Sequence, residues 1–302
     1  MDAGIITILL PLALAIIMMG LGFELTLKDF VRVSKYPKAI FIALFCQLVI
    51  LVAIAFILAK ILNLPPLLAV GLMLLAASPG GPTANIFSYL FKGDIALNIS
   101  LTAINSVVAA FSLPFIVNLA LLHFMQDQQQ IGLQLAKVIQ VFVIILLPVI
   151  VGMLLRHYRP QLTEALNRPF RVFSIVFLVL IIAFALFKEK DNIMQYMTQV
   201  GLATALFCIF SLAIGYSIPR LFGVPSFQAR ACAFEIGIHN STLAMTIALS
   251  ILSSTTMAMP AAVYSIFMYI FATAFGFIIG QEKQKAIPIV TATQQPIEDL
   301  KS

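Results

Sequence analysis

Long apolar runs separated by short polar segments follow one another along the whole chain. Each run of about 20 residues is long enough to cross the roughly 30 Å hydrocarbon core of a bilayer as an α-helix. There are nine such runs, and they cover residues 4–23, 37–62, 65–91, 95–124, 132–155, 169–187, 193–219, 226–252 and 257–280. We therefore expect an all-α polytopic membrane protein with about nine transmembrane helices.

The composition supports a membrane environment. Hydrophobic residues make up 62% of the chain and charged residues only 10%, and the mean hydropathy is +1.07. Soluble globular domains carry about a quarter charged residues. The composition therefore predicts that most of this chain is embedded in a lipid bilayer.

The cations are distributed unevenly between the two sets of loops. Fourteen of the 18 Lys and Arg residues lie in alternate loops and in the polar tail 281–302. Because cytoplasmic loops are enriched in Lys and Arg, we expect an outside N-terminus and a cytoplasmic tail, in the inner (plasma) membrane of a cell. This topology accounts for most of the net charge of +6, so we expect no nucleic-acid partner.

The third run is interrupted by the segment ASPGGPTAN at residues 77–85. Two prolines and two glycines break a helix there, and each unpaired backbone group in lipid costs several kcal/mol. Irregular backbone therefore has to be buried in protein or line a wet cavity. Pro82 is well placed to begin a second half-helix, where its missing N–H costs nothing.

The eighth run contains a second interruption. Glu235 is the one carboxylate that we place well inside a span, and Gly237, His239 and Asn240 follow it. This polar cluster should unwind the helix, and Asn240 should then cap a second half-helix.

The two interruptions occupy matching places in two sets of three spans. Spans two, three and four correspond to seven, eight and nine, and an offset of five spans gives the two sets opposite topology. This is the sequence outline of an inverted repeat, in which paired discontinuous helices mark a binding site near the bilayer midplane.

Polar side chains collect at these interruptions. Glu235 can supply the charge that a desolvated cation needs, although a charge at a helix centre costs about 2.5–3.5 kcal/mol. Asn98, Thr102 and Asn105 share one helical face, and Gln47 is isolated in the second span. The same residues could instead form an internal ion pair or bond helix to helix.

Three segments resemble the bile acid/sodium symporter family: residues 16–30 (IIMMGLGFELTLKDF), 78–106 and 235–244 (EIGIHNSTLA). The resemblance covers nearly the whole chain and fits the members with nine spans. It implies sodium-coupled symport of an organic anion, either bile-acid-like or a small carboxylate or sulfonate, by alternating access. Sodium is the coupling ion and no other cofactor is implied.

The resemblance further implies two sodium sites behind a substrate cavity. The first would use Asn85, Asn98, Thr102 and Glu235, with Ala84 and Asn98 at positions where relatives often carry serine. The cavity and crossover would involve the following residues: Pro79, Gly80, Gly81, Asn105 and Asn240.

The second implied sodium site departs from the family pattern. It would use Gln47, Glu235 and the backbone carbonyls near Ile236 and Ile238. The remaining ligand in relatives is a glutamine, and His239 stands there in this chain. Since sodium prefers oxygen donors, we expect weaker or pH-sensitive sodium binding at this site.

The family also implies two bodies that move against each other. A panel would comprise residues 1–25 and 132–187, which hold spans one, five and six. A core would comprise residues 37–124 and 193–280 and would carry the ions.

Three other functions compete with sodium symport. An enzyme is disfavoured because His123 and His157 cannot converge on His239 and no HExxH or GxSxG motif occurs. A passive channel could also use broken helices. A proton-coupled anion carrier of the same architecture, with Glu235 and His239 as proton sites, is the main alternative, and sodium-stimulated uptake at fixed pH would separate the two.

Overall fold

The structure is a computed structural model that describes residues 3–26, 31, 33–81, 83–125, 135–188 and 193–280. Within these ranges the regular elements are helices, joined by one isolated β-bridge. The expectation of an all-α protein is thereby confirmed. The predictions made for Pro82 and for the tail 281–302 lie outside the described residues.

The helices follow the apolar runs of the sequence. In chain order they are α1 (Ala3–Glu24), α2 (Pro37–Ile61), α3 (Pro66–Ala77), α4 (Thr83–Leu90), α5 (Ile95–Phe124), α6 (Leu135–Tyr158), α7 (Pro160–Lys188), α8 (Ile193–Leu221), α9 (Ser226–Gly237), α10 (Ser241–Ser250) and α11 (Thr255–Gly280). Four stretches of the described chain are long and apolar enough to span a membrane: Pro37–Ile61, Ile95–Phe124, Tyr196–Leu221 and Thr255–Gly280. The total of nine spans stays a prediction.

Helix α7 begins well before the apolar run from which the sixth span was predicted. The run starts near residue 169, whereas the helix starts at Pro160 and continues through Pro169. Hydropathy reports the solvent around a segment rather than its backbone conformation. The segment 160–168, which contains polar and charged residues among its apolar ones, therefore extends the helix without extending the apolar run.

Helix α2 contains a π-helical turn at Cys46–Ile50. Gln47 lies in this turn, and the side chain is buried. Turns of this kind are rare and are often found at functional sites. The wider turn changes the direction in which Gln47 projects from α2.

Two groups of helices can be separated by their packing. Helix α1 packs mainly against α6 and also against α7, while α3, α5 and α8–α11 pack largely among themselves. Gly22 of α1 and Gly152 of α6 allow a close crossing, since a Cβ on Gly22 would lie 2.9 Å from the Gly152 Cα. The interrupted helices lie in the second group.

Candidate functional site

Both predicted interruptions are present. Helix α3 ends at Ala77 and α4 begins at Thr83, while α9 ends at Gly237 and α10 begins at Ser241. Asn240 caps α10 as expected, because its side-chain oxygen accepts a hydrogen bond of 3.0 Å from the Leu243 N–H.

The two interruptions lie side by side and pair with each other. The Gly81 N–H donates to the Ile238 carbonyl at 3.0 Å, and the Asn240 N–H donates to the Pro79 carbonyl at 2.8 Å. An antiparallel bridge joins Gly80 to His239. Each break thus provides hydrogen-bond partners for backbone groups that lost theirs where the other helix ended. This pairing removes much of the free-energy cost of unpaired backbone groups in a membrane.

Side chains satisfy the carbonyl groups at the two helix ends. The Gln47 amide donates to the carbonyls of Ala76 and Ser78 at 3.0 and 3.2 Å. The Tyr264 hydroxyl donates to the Gly237 carbonyl at 2.8 Å. Tyr264 was not among the predicted site residues, because an aromatic residue in an apolar helix carries no signal of such a contact.

Glu235 lies at the centre of the paired breaks and is 1% exposed. Thr102 Oγ1 donates to its Oε2 at 2.6 Å. The carboxyl group also packs against Gly80, where any Cβ would overlap it. Glu235 Oε1 makes no hydrogen bond of standard geometry within the described residues, although the Asn105 side chain and the Gly80 backbone also lie close to the carboxyl group.

Several other buried oxygens near the breaks also have no hydrogen-bond partner in the described chain. They are Gln47 Oε1, Asn85 Oδ1, Asn98 Oδ1 and Asn105 Oδ1. The reason is visible for Asn98, whose amide nitrogen donates to the Ala84 carbonyl at 3.1 Å and to Ser88 Oγ. Because its NH₂ group is occupied, its carbonyl oxygen is left for another partner. Hard cations take oxygen ligands of this kind.

His239 is held by three neighbours. Its Nδ1 donates to the Ser78 carbonyl at 3.1 Å, and its ring lies 5.3 Å from that of Phe207 and 5.5 Å from that of Tyr264. A carbonyl can only accept, so Nδ1 carries the hydrogen. Nε2 is therefore left with a lone pair, and it has no partner among the described residues.

A cavity of about 840 Å³ lies beside the paired breaks. Gly81 and Asn240, two of the residues assigned to the crossover from the sequence, line it, and so do Asn85, Thr102 and His239. The other predicted crossover residues do not contribute to its lining: Pro79, Gly80 and Asn105. Residues of α1, α6 and α7 also line the cavity: Met18, Leu21, Arg156 and Phe170.

Residues 11–196 match the model of the Sodium Bile acid symporter family. The chain is 31% identical, over 84% of its length, to the probable sodium/metabolite cotransporter BASS1, chloroplastic, of Arabidopsis thaliana, and the match covers 62% of that relative. The chain thus spans about three fifths of the chloroplast relatives that it matches.

Two further relatives match along more of their length. The ileal sodium/bile acid cotransporter of Homo sapiens is 27% identical over 92% of this chain and 81% of the relative. The uncharacterized sodium-dependent transporter YocS of Bacillus subtilis is 27% identical over 84% of this chain and 77% of the relative. With its membrane-spanning helices and paired breaks, this multi-pass membrane protein belongs to the sodium/bile acid symporter family.

Proposed function

We propose that the protein is a secondary transporter that couples inward sodium movement to the symport of an organic anion. The observation that carries this proposal is the burial of the Glu235 carboxylate between the two breaks. The buried carboxylate has an unpaired oxygen between two broken helices and lies next to a residue of the cavity wall, Thr102. A charge in that position is costly without a cation, so a coupling ion is the partner that the site lacks.

The first sodium site would be formed by Asn85, Asn98, Thr102 and Glu235. The unpaired oxygens of Asn85, Asn98 and Glu235 support this proposal. Thr102 connects the carboxylate to α5 through its hydroxyl group. Since Asn85 and Thr102 also line the cavity, an ion at this site would lie close to a bound substrate.

The second sodium site would use Gln47, Glu235 and the carbonyls near Ile236 and Ile238. The unpaired Gln47 oxygen supports it. Two features weaken it relative to the first site: the Ile238 carbonyl already accepts the Gly81 N–H, and His239 offers only a ring nitrogen. We infer that the first site holds its ion more tightly.

Alternating access would be produced by two bodies. The panel of residues 1–25 and 132–187 would move against the core of residues 37–124 and 193–280. The cavity supports this division, because residues of both groups line it: α1, α6 and α7 on the side of the panel, and the paired breaks with α5 and α11 on the side of the core. We keep the sequence-based orientation, with the C-terminus cytoplasmic and the protein in the inner membrane.

The substrate would be an organic anion with a substantial apolar part. Arg156 is the only Lys or Arg in the described lining of the cavity, and apolar side chains such as Met18, Leu21 and Phe170 form much of the rest. A volume of about 840 Å³ lies in the upper range of small-molecule sites, about 300–1,000 Å³. Relatives named as bile acid cotransporters are consistent with such a substrate.

The test is uptake into vesicles with a sodium gradient, at equal pH on both sides. We expect sodium to stimulate uptake in the wild type. Glu235→Gln should abolish the stimulation and lower sodium affinity by at least about tenfold, or ~1.4 kcal/mol. Glu164→Gln, which removes an exposed carboxylate from α7, is the matched control and should behave like the wild type.

Two results would contradict the proposal. Uptake driven by a proton gradient and indifferent to sodium would identify the protein as a proton-coupled carrier. Near-normal sodium-dependent uptake by Glu235→Gln would show that Glu235 is not the cation ligand.

A further inference from the structure

Arg230 is a buried cation near the start of α9, five residues before Glu235 of the candidate sodium site. It is 3% exposed, and it donates to the carbonyl groups of Phe91 and Ile279 at 3.4 and 3.0 Å. Arginine has five N–H donors, and here Nε is buried without a partner. In the part of the chain that the structure describes, no carboxylate forms an ion pair with it.

Neutral carbonyl groups compensate a buried guanidinium only in part. A buried charge is normally balanced by an opposite charge, because desolvation is costly. Arg230 also lines a small cavity of about 290 Å³, together with Lys92 and residues from the end of α11. An anion in this cavity would supply the missing charge.

Lys92 is the second cation of this cavity, and its backbone is unusual. It follows α4 with φ of 56°, and the Gly93 N–H closes the helix end by donating to the Ser88 carbonyl at 2.7 Å. Glycine is the residue favoured at such a left-handed position. A lysine there places an exposed ammonium group beside the Arg230 cavity at the expense of backbone strain.

The surroundings of the cavity favour a lipid over a free ion. Leu90 and Phe277, which flank it, are 60% and 65% exposed, so apolar surface continues directly from the two cations. The cavity lies where α4 and α11 end and α9 begins. This is the end of the bundle that the sequence predicts to be cytoplasmic, where basic pockets between helices bind anionic headgroups.

We propose that Lys92 and Arg230 form a binding site for the phosphate headgroup of an anionic membrane lipid, whose acyl chains lie along Leu90 and Phe277. The phosphate oxygens would accept hydrogen bonds from the guanidinium and the ammonium group. The site would join the ends of α4, α9 and α11. It does not depend on the proposed transport activity.

The experiment measures thermal unfolding of the purified full chain in neutral detergent during titration with phosphatidylglycerol. Phosphatidylcholine and inorganic phosphate are titrated in parallel. We expect phosphatidylglycerol to raise the unfolding temperature of the wild type at much lower concentrations than either of the others, because a ligand of the folded state stabilises it.

Lys92→Gly is the sharpest variant, because it removes the charge while relieving the left-handed backbone. It should fold at least as well as the wild type and bind phosphatidylglycerol about fivefold more weakly, the effect expected of one cation near an anionic surface. Arg230→Gln should weaken binding further. Lys35→Gln, which removes an exposed charge elsewhere, should leave the titration unchanged.

Several outcomes would overturn the assignment. An equal response to phosphatidylglycerol in Lys92→Gly, Lys35→Gln and the wild type would indicate general surface attraction. An equal response to inorganic phosphate would identify a free-phosphate site. A response that emerges only after Glu298 and Asp299 are neutralised would show that the carboxylates of the tail, not a lipid, occupy the site.

Discussion

Glu235 and His239 lie one helical turn apart in sequence, and the structure places them in different surroundings. Glu235 has one oxygen bound by Thr102 and one without a partner in the described chain. His239 is fixed by the Ser78 carbonyl and by the rings of Phe207 and Tyr264. The carboxylate is therefore the stronger candidate for binding a cation. The imidazole instead holds the α3 break in place through its hydrogen bond to the Ser78 carbonyl.

Replacement of His239 tests what the imidazole does at the proposed second sodium site. We expect His239→Gln to raise sodium affinity by about three- to tenfold, on the order of 1 kcal/mol, because an amide oxygen replaces a ring nitrogen as donor. The measurement is a calorimetric sodium titration at fixed pH. Phe207→Leu keeps the imidazole and removes its stacking partner, so it should leave sodium affinity nearer the wild-type value. Superimposable titrations of His239→Gln and the wild type would show that His239 serves packing alone.

At the scale of elements, the two breaks and their placement side by side were predicted, and the hydrogen bonds that join them were not. Pro79, Gly80 and Gly81 interrupt an apolar run, which announces a broken helix in any sequence. The hydrogen bonds from Gly81 to Ile238 and from Asn240 to Pro79 join residues more than 150 positions apart, and local pattern carries no information about such partners. The same holds for the π-helical turn at Cys46–Ile50, which hydropathy does not distinguish from an α-helical turn.

Adjacent glycines in the α3 break should respond oppositely to the same substitution. A Cβ on Gly80 would overlap the Glu235 carboxyl group, whereas a Cβ on Gly81 would lie 3.8 Å from Thr83 Oγ1, an ordinary contact. We expect Gly80→Ala to lower sodium affinity at least about tenfold by displacing Glu235. Gly81→Ala is the matched control, and sodium binding measured by calorimetry should be unchanged. Equal effects of the two substitutions would contradict the close approach of Gly80 to the carboxylate.

The crossing of α1 and α6 depends on Gly22. A Cβ added at residue 22 would overlap the Val149 carbonyl oxygen and lie 2.9 Å from the Gly152 Cα. We therefore expect Gly22→Ala to destabilise the protein by about 1–3 kcal/mol, as overpacking does. A Cβ on Gly201 would have no heavy atom within 4 Å. Gly201→Ala should therefore stabilise α8 by about 0.5–1 kcal/mol. Thermal unfolding in one detergent compares the two. A stabilised Gly22→Ala variant would rule out the tight crossing.

At the scale of the whole molecule, the proposed ion site and the proposed substrate cavity meet at one residue. Thr102 donates to Glu235 and also lines the cavity, so its hydroxyl group lies on the boundary between the two proposed ligands. If sodium and the anion bind on either side of this group, each should raise the affinity of the other by the same factor. Such coupling would make uptake of the anion depend on the sodium gradient.

Thr102→Val tests this coupling, because valine keeps the shape of threonine and lacks the hydroxyl group. In the wild type we expect the best-binding organic anion of a thermal-shift screen to gain affinity about five- to 150-fold with saturating sodium, the usual range of coupling between sites. The variant should still bind the anion, with a coupling factor close to one. Calorimetric titrations of anion with and without sodium, and of sodium with and without anion, give the factor in both directions.

Thr246→Val provides the matched control. Thr246 is equally buried, but its hydroxyl donates to the Thr242 carbonyl within α10 at 2.8 Å, and the residue does not contribute to the described lining of the cavity. Its loss should leave the coupling factor at the wild-type value. If Thr102→Val retained full coupling, the sodium and anion sites would have to be coupled through another contact. The Asn85 amide also has an unpaired oxygen and lines the cavity, so Asn85 would be the next residue to replace.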